Sequence, residues 1–174
     1  METIINRLIK GNKSYIESSS VALRLDTARN GQHPYAIVIC CSDLRVIPEE
    51  IFNVSLGELF VIRVAGNVLD KHQLGSIEYA ASHLGCRLVV MLGHTGCGAV
   101  AAALEGHAGG YVSYIVNDIK KAIGEEKDPN AACRLNVQNG TRQIREAFSK
   151  NPGLSDLEVR GAVYDIESGE VNWL

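Results

Sequence analysis

The chain is predicted to be an α/β protein with a mostly parallel central β-sheet flanked by helices. Three observations lead there. Residues 34–41, 59–64 and 87–92 are short, continuous apolar runs rich in β-branched side chains. A continuous rather than alternating apolar run marks a strand covered on both faces, as parallel sheets require. Segments with helical spacing separate these runs, and strands that alternate with helices build a parallel sheet.

Taken in order, residues 2–19 carry Ile5, Leu8, Ile9, Tyr15 and Ile16 in an approximate helical stripe, interrupted by Gly11. Such a helix buries little alone and is expected to pack on the domain or across a partner subunit. The first strand, 34–41, ends at Cys41. Pro48 opens a short helix through Phe52, with Glu49 and Glu50 favourable in its first turn. The second strand, 59–64, closes in the turn Ala65-Gly66-Asn67. A helix over 76–84 stops at Gly85. The third strand, 87–92, runs into Gly93-His94-Thr95-Gly96-Cys97-Gly98, and a helix follows over 99–104. Residues 106–110 are a flexible connection. Helical spacing returns over 111–123 and 131–148, with Gly140 weakening the second and the polar stretch 120–130 read as the loop between. The fourth strand, 157–166, turns through Glu167-Ser168-Gly169-Glu170 into a short closing strand over 171–173. No repeat or linker divides residues 1–174, which are expected to form one domain.

Composition narrows the function. A length of 174 residues, 46% hydrophobic and 21% charged, is ordinary for a soluble globular protein with a sizeable core. A net charge of -3 gives no basic surplus to neutralise phosphates, so nucleic acid is not expected as a partner. No apolar run is long enough to span a bilayer, and the N-terminus lacks the pattern of a secretory signal, so a cytoplasmic location is expected. Five cysteines, Cys40, Cys41, Cys86, Cys97 and Cys133, are an odd number without disulfide-scaffold spacing. Metal binding or reactivity is the better question for them. Cys86 and Cys133 are read as buried small hydrophobes.

The chemistry concentrates in Cys41-Ser42-Asp43-Leu44-Arg45 and His94-Thr95-Gly96-Cys97. In open α/β sheets function gathers at the carboxyl ends of strands. Cys41 ends the first strand, and His94 lies just beyond the third. If those strands are neighbours, Cys41, His94 and Cys97 converge on one zinc ion. The glycines at 93, 96 and 98 allow the tight turn, and Cys97 opens a helix whose dipole favours a thiolate. Cys40 points to the opposite face of its strand. Three protein ligands with one open position mark catalytic rather than structural zinc. Water there would ionise at a pKa of roughly 7, or higher beside two thiolates. Asp43, held ionised by Arg45, is placed to accept a hydrogen bond from the resulting zinc-bound hydroxide and aim its lone pair at an electrophile. The same carboxylate could instead close onto the metal.

These motifs resemble those of the β-class carbonic anhydrases, whose pattern is Cys-x-Asp-x-Arg followed by His-x-x-Cys. Cys41, Asp43, Arg45, His94 and Cys97 match it one by one. The likeness extends through Ala65-Gly66-Asn67, Ser76-Ile-Glu-Tyr-Ala80, residues 93–100 and the tail from Gly161. The resemblance implies reversible hydration of carbon dioxide to bicarbonate and a proton by zinc-bound hydroxide. It implies Cys41, His94 and Cys97 as ligands, with Asp43 a fourth only in a closed state, and bicarbonate near the Gly98 N–H. It also implies an antiparallel edge strand and a homodimer or homotetramer, with the N-terminal helix embracing the partner. Leu44 stands where the family commonly has serine. Val38 replaces a tryptophan that accompanies bicarbonate inhibition in some members, so that regulation is not expected, although Arg63 matches. A glutamine frequent in the substrate pocket is absent from the stretch holding Val54 and Ser55. Two other readings are hydrolysis of an analogue such as carbon disulfide and a non-catalytic zinc or thiol-sensing module.

Overall fold

A computed structural model describes residues 2–18 and 20–174. They fall into two compact units, one ending at Gln32 and one spanning His33–Leu174.

The smaller unit holds helices α1, Ile4–Ser18, and α2, Val21–Asn30. The expected N-terminal helix is therefore present; its predicted last residue, Ser19, lies outside the described residues. Helix α2 was not expected from the sequence. Its apolar residues, Val21, Leu23 and Leu25, lack helical spacing, so local chemistry carries the start and stop instead. Ser20 Oγ accepts from the Leu23 N–H at 3.3 Å, and Gly31 closes the C-terminus with φ 81. Neither helix has a buried residue among those described.

The larger unit is built on strands β1, Ala36–Cys40; β2, Leu59–Arg63; β3, Leu88–His94; β4, Glu158–Tyr164; and β5, Val171–Trp173. Their order is β2-β1-β3-β4-β5, with parallel pairing among the first four and β5 antiparallel on β4. The predicted fold class and edge strand are thus both present. Alternation along β1 buries both faces. Ile37 and Ile39 join Met91, Ile77 and Ile144 on one side, while Val38 and Cys40 join Val90, Leu92 and Ala162 on the other.

The remaining helices are α3, Pro48–Ile51; α4, Lys71–His83; α5, Gly98–Glu105; α6, Val112–Ile123; and α7, Pro129–Phe148. Helix α4 starts five residues before its predicted start of Ser76. The polar sequence Lys71-His72-Gln73 hides it, but Asp70 and Gln73 form a reciprocal capping box. Helix α7 runs unbroken through Gly140, where a Cβ would press on the Met91 side chain. Asp128 caps it by accepting from Ala131 N–H at 2.7 Å, and Pro129 fixes the first turn. A third apolar cluster, of α5, α6 and the start of α7, includes Cys41 and Cys97.

Candidate metal centre

Strand pairing brings the two predicted segments together. Cys40 lies opposite Leu92 on β3, so Cys41 and His94 leave neighbouring strand ends. Strand β3 continues through Gly93 to His94 rather than stopping at Leu92. Pairing with β4 carries it on, since His94 lies opposite Tyr164 and Thr95 N–H donates to Tyr164 O at 2.9 Å. Gly96, with φ 65, then reverses the chain, and Cys97 forms the N-cap of α5. Cys41, His94 and Cys97 are all buried, and one potential ligand atom from each lies within 4.8 Å of the others. Among the described residues no other group of His, Cys, Asp or Glu converges this way.

The histidine is set for a metal. Its Nδ1 lies 2.9 Å from Thr95 O, a contact that makes Nδ1 the protonated nitrogen. Nε2 then carries a buried lone pair with no hydrogen-bond partner. An orphaned imidazole nitrogen beside two thiols fits a soft or borderline cation such as zinc. Cys41 is lowered to about 4, chiefly by a hydrogen bond from Cys97, with His94 and the Gly66 N–H assisting against burial. The Gly66 N–H lies 3.3 Å from Cys41 Sγ. That same sulfur–sulfur contact, with burial, drives Cys97 up, because the pair shares one proton. The Val100 and Ala99 N–H groups at the start of α5 pull the other way. Burial is the largest influence on His94 and opposes its charge, but the Cys41 sulfur close by, with its negative charge, outweighs it, so the net shift is upward.

Asp43 and Arg45 form a bidentate pair beside these ligands. Asp43 Oδ1 accepts from Arg45 N at 3.0 Å and Nε at 2.9 Å, and Oδ2 accepts from Nη2 at 2.7 Å. Those bonds hold the carboxyl well below the usual range. Arg45 Nη2 also donates to Gly96 O at 3.2 Å, tying the first segment to the second. Leu44, between them, is exposed. Gly98 is the first residue of α5, and a Cβ there would meet nothing within 4 Å.

Other residues surround these candidate ligands. Arg63, the last residue of β2, donates to Asp43 O at 2.7 Å and to Cys41 O at 3.3 Å. In the sequence Arg63 stands out only as a match to a family position, with no sign of these backbone contacts. Cys40 sits in the opposite cluster, and burial pushes it up to about 12, so it stays a thiol. Cys86 is the buried thiol expected, donating to Pro34 O at 2.8 Å. Cys133 is buried as expected too, but it donates to His94 O at 3.1 Å.

A family profile described as carbonic anhydrase matches residues 36–171, from the start of β1 to the start of β5. The chain belongs to the carbonic anhydrase family. It is 42% identical over 181 residues to carbonic anhydrase 2 of Mycobacterium tuberculosis, covering 93% of this chain and 87% of that one. The β-carbonic anhydrase CafA of Aspergillus fumigatus superimposes with a TM-score of 0.82 at 28% identity, over 99% and 91% of the two chains. A structure described as one of two tetrameric β-carbonic anhydrases from Sordaria macrospora does so with a TM-score of 0.81 at 25% identity, over 99% and 98%. The carbonic anhydrase resembled is thus the β class, as the motifs predict, and the sheet with its antiparallel edge strand is that of the family.

Proposed function

We propose that this chain catalyses the reversible hydration of carbon dioxide to bicarbonate and a proton, with zinc held by Cys41, His94 and Cys97. The observation that carries the reading is the buried, unpartnered His94 Nε2 beside two cysteine sulfurs. Membership of the carbonic anhydrase family supplies the reaction, and the names of the relatives favour carbon dioxide over a sulfur analogue. Zinc bound there would supply Lewis acidity and activate a water for attack near neutral pH.

The chain's own residues do the rest. Cys41 and Cys97 supply thiolate charge, while Thr95 O fixes the His94 tautomer so that Nε2 faces the ion. Asp43 accepts a hydrogen bond from the attacking water and aims its lone pair at the carbon of the substrate. Arg45 occupies both carboxylate oxygens, which supports an open site in which Asp43 is not a ligand. Charge developing on the bicarbonate oxygens would be received at the Gly98 N–H, which opens α5 with the positive end of its dipole.

Residues 1–174 are proposed to work as one carbonic anhydrase domain within a homo-oligomer. The apolar side chains of Ile4, Ile5, Leu8 and Ile9 on α1 are exposed, which supports packing on a partner subunit. The tetrameric Sordaria macrospora relative supports assembly as well. A cytoplasmic location is supported by five cysteines that are all free thiols. Stopped-flow hydration with a pH indicator, on protein of measured zinc content, tests the function. Activity should track zinc, and Asp43→Ala should keep zinc while losing about 100-fold or more in kcat/KM. Zinc-loaded protein without hydration activity would refute the reading.

A further inference from the structure

Helix α7 contributes no ligand and carries none of the predicted motifs, yet one of its faces touches the His94 segment directly and reaches Cys41 through Gly66. Asn136 and Cys133 are three residues apart, so they project from the same side of the helix. Asn136 is buried and its Nδ2 donates to Gly66 O at 2.9 Å. Gly66 in turn presents its N–H to Cys41 Sγ. It does so from a left-handed conformation, φ 68 and ψ 13, in which a Cβ would lie 2.7 Å from Ile119 Cδ1 and 3.0 Å from Ala99 Cβ. Holding the Gly66 carbonyl therefore holds the conformation that aims its N–H at the sulfur. Cys133 Sγ donates to His94 O on the other segment. The helix reaches that carbonyl because residue 93 is glycine: a Cβ there would lie 2.5 Å from Val137 Cγ2 and 3.1 Å from Cys133 Sγ.

We propose that Asn136 and Cys133 are positioning residues that brace the metal centre from behind, Asn136 setting the thiolate hydrogen bond to Cys41 and Cys133 fixing the backbone of His94. The inference rests on the zinc reading above. Outer-shell groups of this kind tune a metal site because they fix ligand orientation and basicity, and losing one typically costs 10- to 100-fold in metal affinity or activity.

The test uses full-length protein loaded with zinc, and with cobalt as a spectroscopic substitute. Asn136→Leu keeps the approximate volume but removes the donor to Gly66. It should speed zinc loss to a chelator about tenfold or more and shift the thiolate-to-cobalt charge-transfer band. Cys133→Ala should also speed zinc loss, and Cys133→Ser, which keeps a donor, should restore the wild-type rate. Thr141→Val is the control. Thr141 is buried on the same helix and its hydroxyl donates to Val137 O, so its loss can lower stability but should leave band and release rate unchanged. Wild-type release rates and spectra in both Asn136→Leu and Cys133→Ala would overturn the proposal even if their thermal midpoints fall. Should Asn136→Leu fail to fold, the Cys133→Ala and Cys133→Ser pair decides by the same readout. If the wild-type protein binds neither zinc nor cobalt at one ion per chain, the zinc reading fails first and the brace falls with it.

Discussion

At the scale of single residues, the centre is a contest over charge in a buried place. Two thiols and an imidazole are packed together there, and each would resist ionisation if left alone. The fold favours the charged form of Cys41, because Cys97 and the Gly66 N–H donate to it and His94 lies beside it. A divalent cation held by the two sulfurs would relieve their sharing of one proton. Cys41→Ala removes the most readily ionised of the three candidate ligands and leaves two. Zinc content should fall well below one ion per chain, and thermal stability should fall with it, because binding energy at such a site feeds into folding. Metal analysis and calorimetry on the same preparation check both. Asp43 is different in kind, since Arg45 keeps it charged at the edge of the site while Arg63 holds its backbone.

Among the elements, the end of β3 matters most. It must extend far enough to place His94 opposite Tyr164, turn at once to bring Cys97 back, and lie close beneath α7. Gly93 permits that approach. In Gly93→Ala the new methyl would strike Val137 and crowd Cys133, an overpacking that typically costs about 1–3 kcal/mol. Chemical denaturation should report the loss. Zinc retention should suffer too, because the displaced helix carries the donor to His94.

For the molecule as a whole, pH and assembly supply the tests. Asp43, Asp70, Glu126 and Asp165 are all held below the ordinary carboxyl values of 3.8 and 4.5. Arg45 is the main cause for Asp43, and backbone N–H groups are for the other three. Because folding lowers these values, their stabilisation is fully present above the unfolded values and drains away as pH falls through the folded ones. The thermal midpoint should therefore be insensitive to these groups above about pH 5 and drop below about pH 4. Asp165→Asn, which keeps an oxygen to accept from the Glu167 and Ser168 N–H groups but removes the titrating carboxyl, should make the acid fall shallower. Light scattering should give a mass that is a multiple of 18.8 kDa. Deleting residues 1–32, whose helices have no buried residue among those described, should lower the number of chains per particle while leaving the unit His33–Leu174 folded. An unchanged number of chains would remove α1 and α2 from the subunit contact.

By itself the sequence determined the sheet, the candidate metal ligands and the neighbouring ion pair, because continuous β-branched runs and closely spaced Cys, His and Asp-x-Arg motifs are local patterns. It failed where the pattern was polar or non-local. Capping chemistry rather than apolar spacing carries α2 and the first turn of α4. Only the tertiary structure decided that Asn136 reaches Gly66 across 70 positions and Cys133 reaches His94 across 39. Those bonds depend on how closely a helix lies on a strand end, and that distance is set by the packing of residues far apart in the chain.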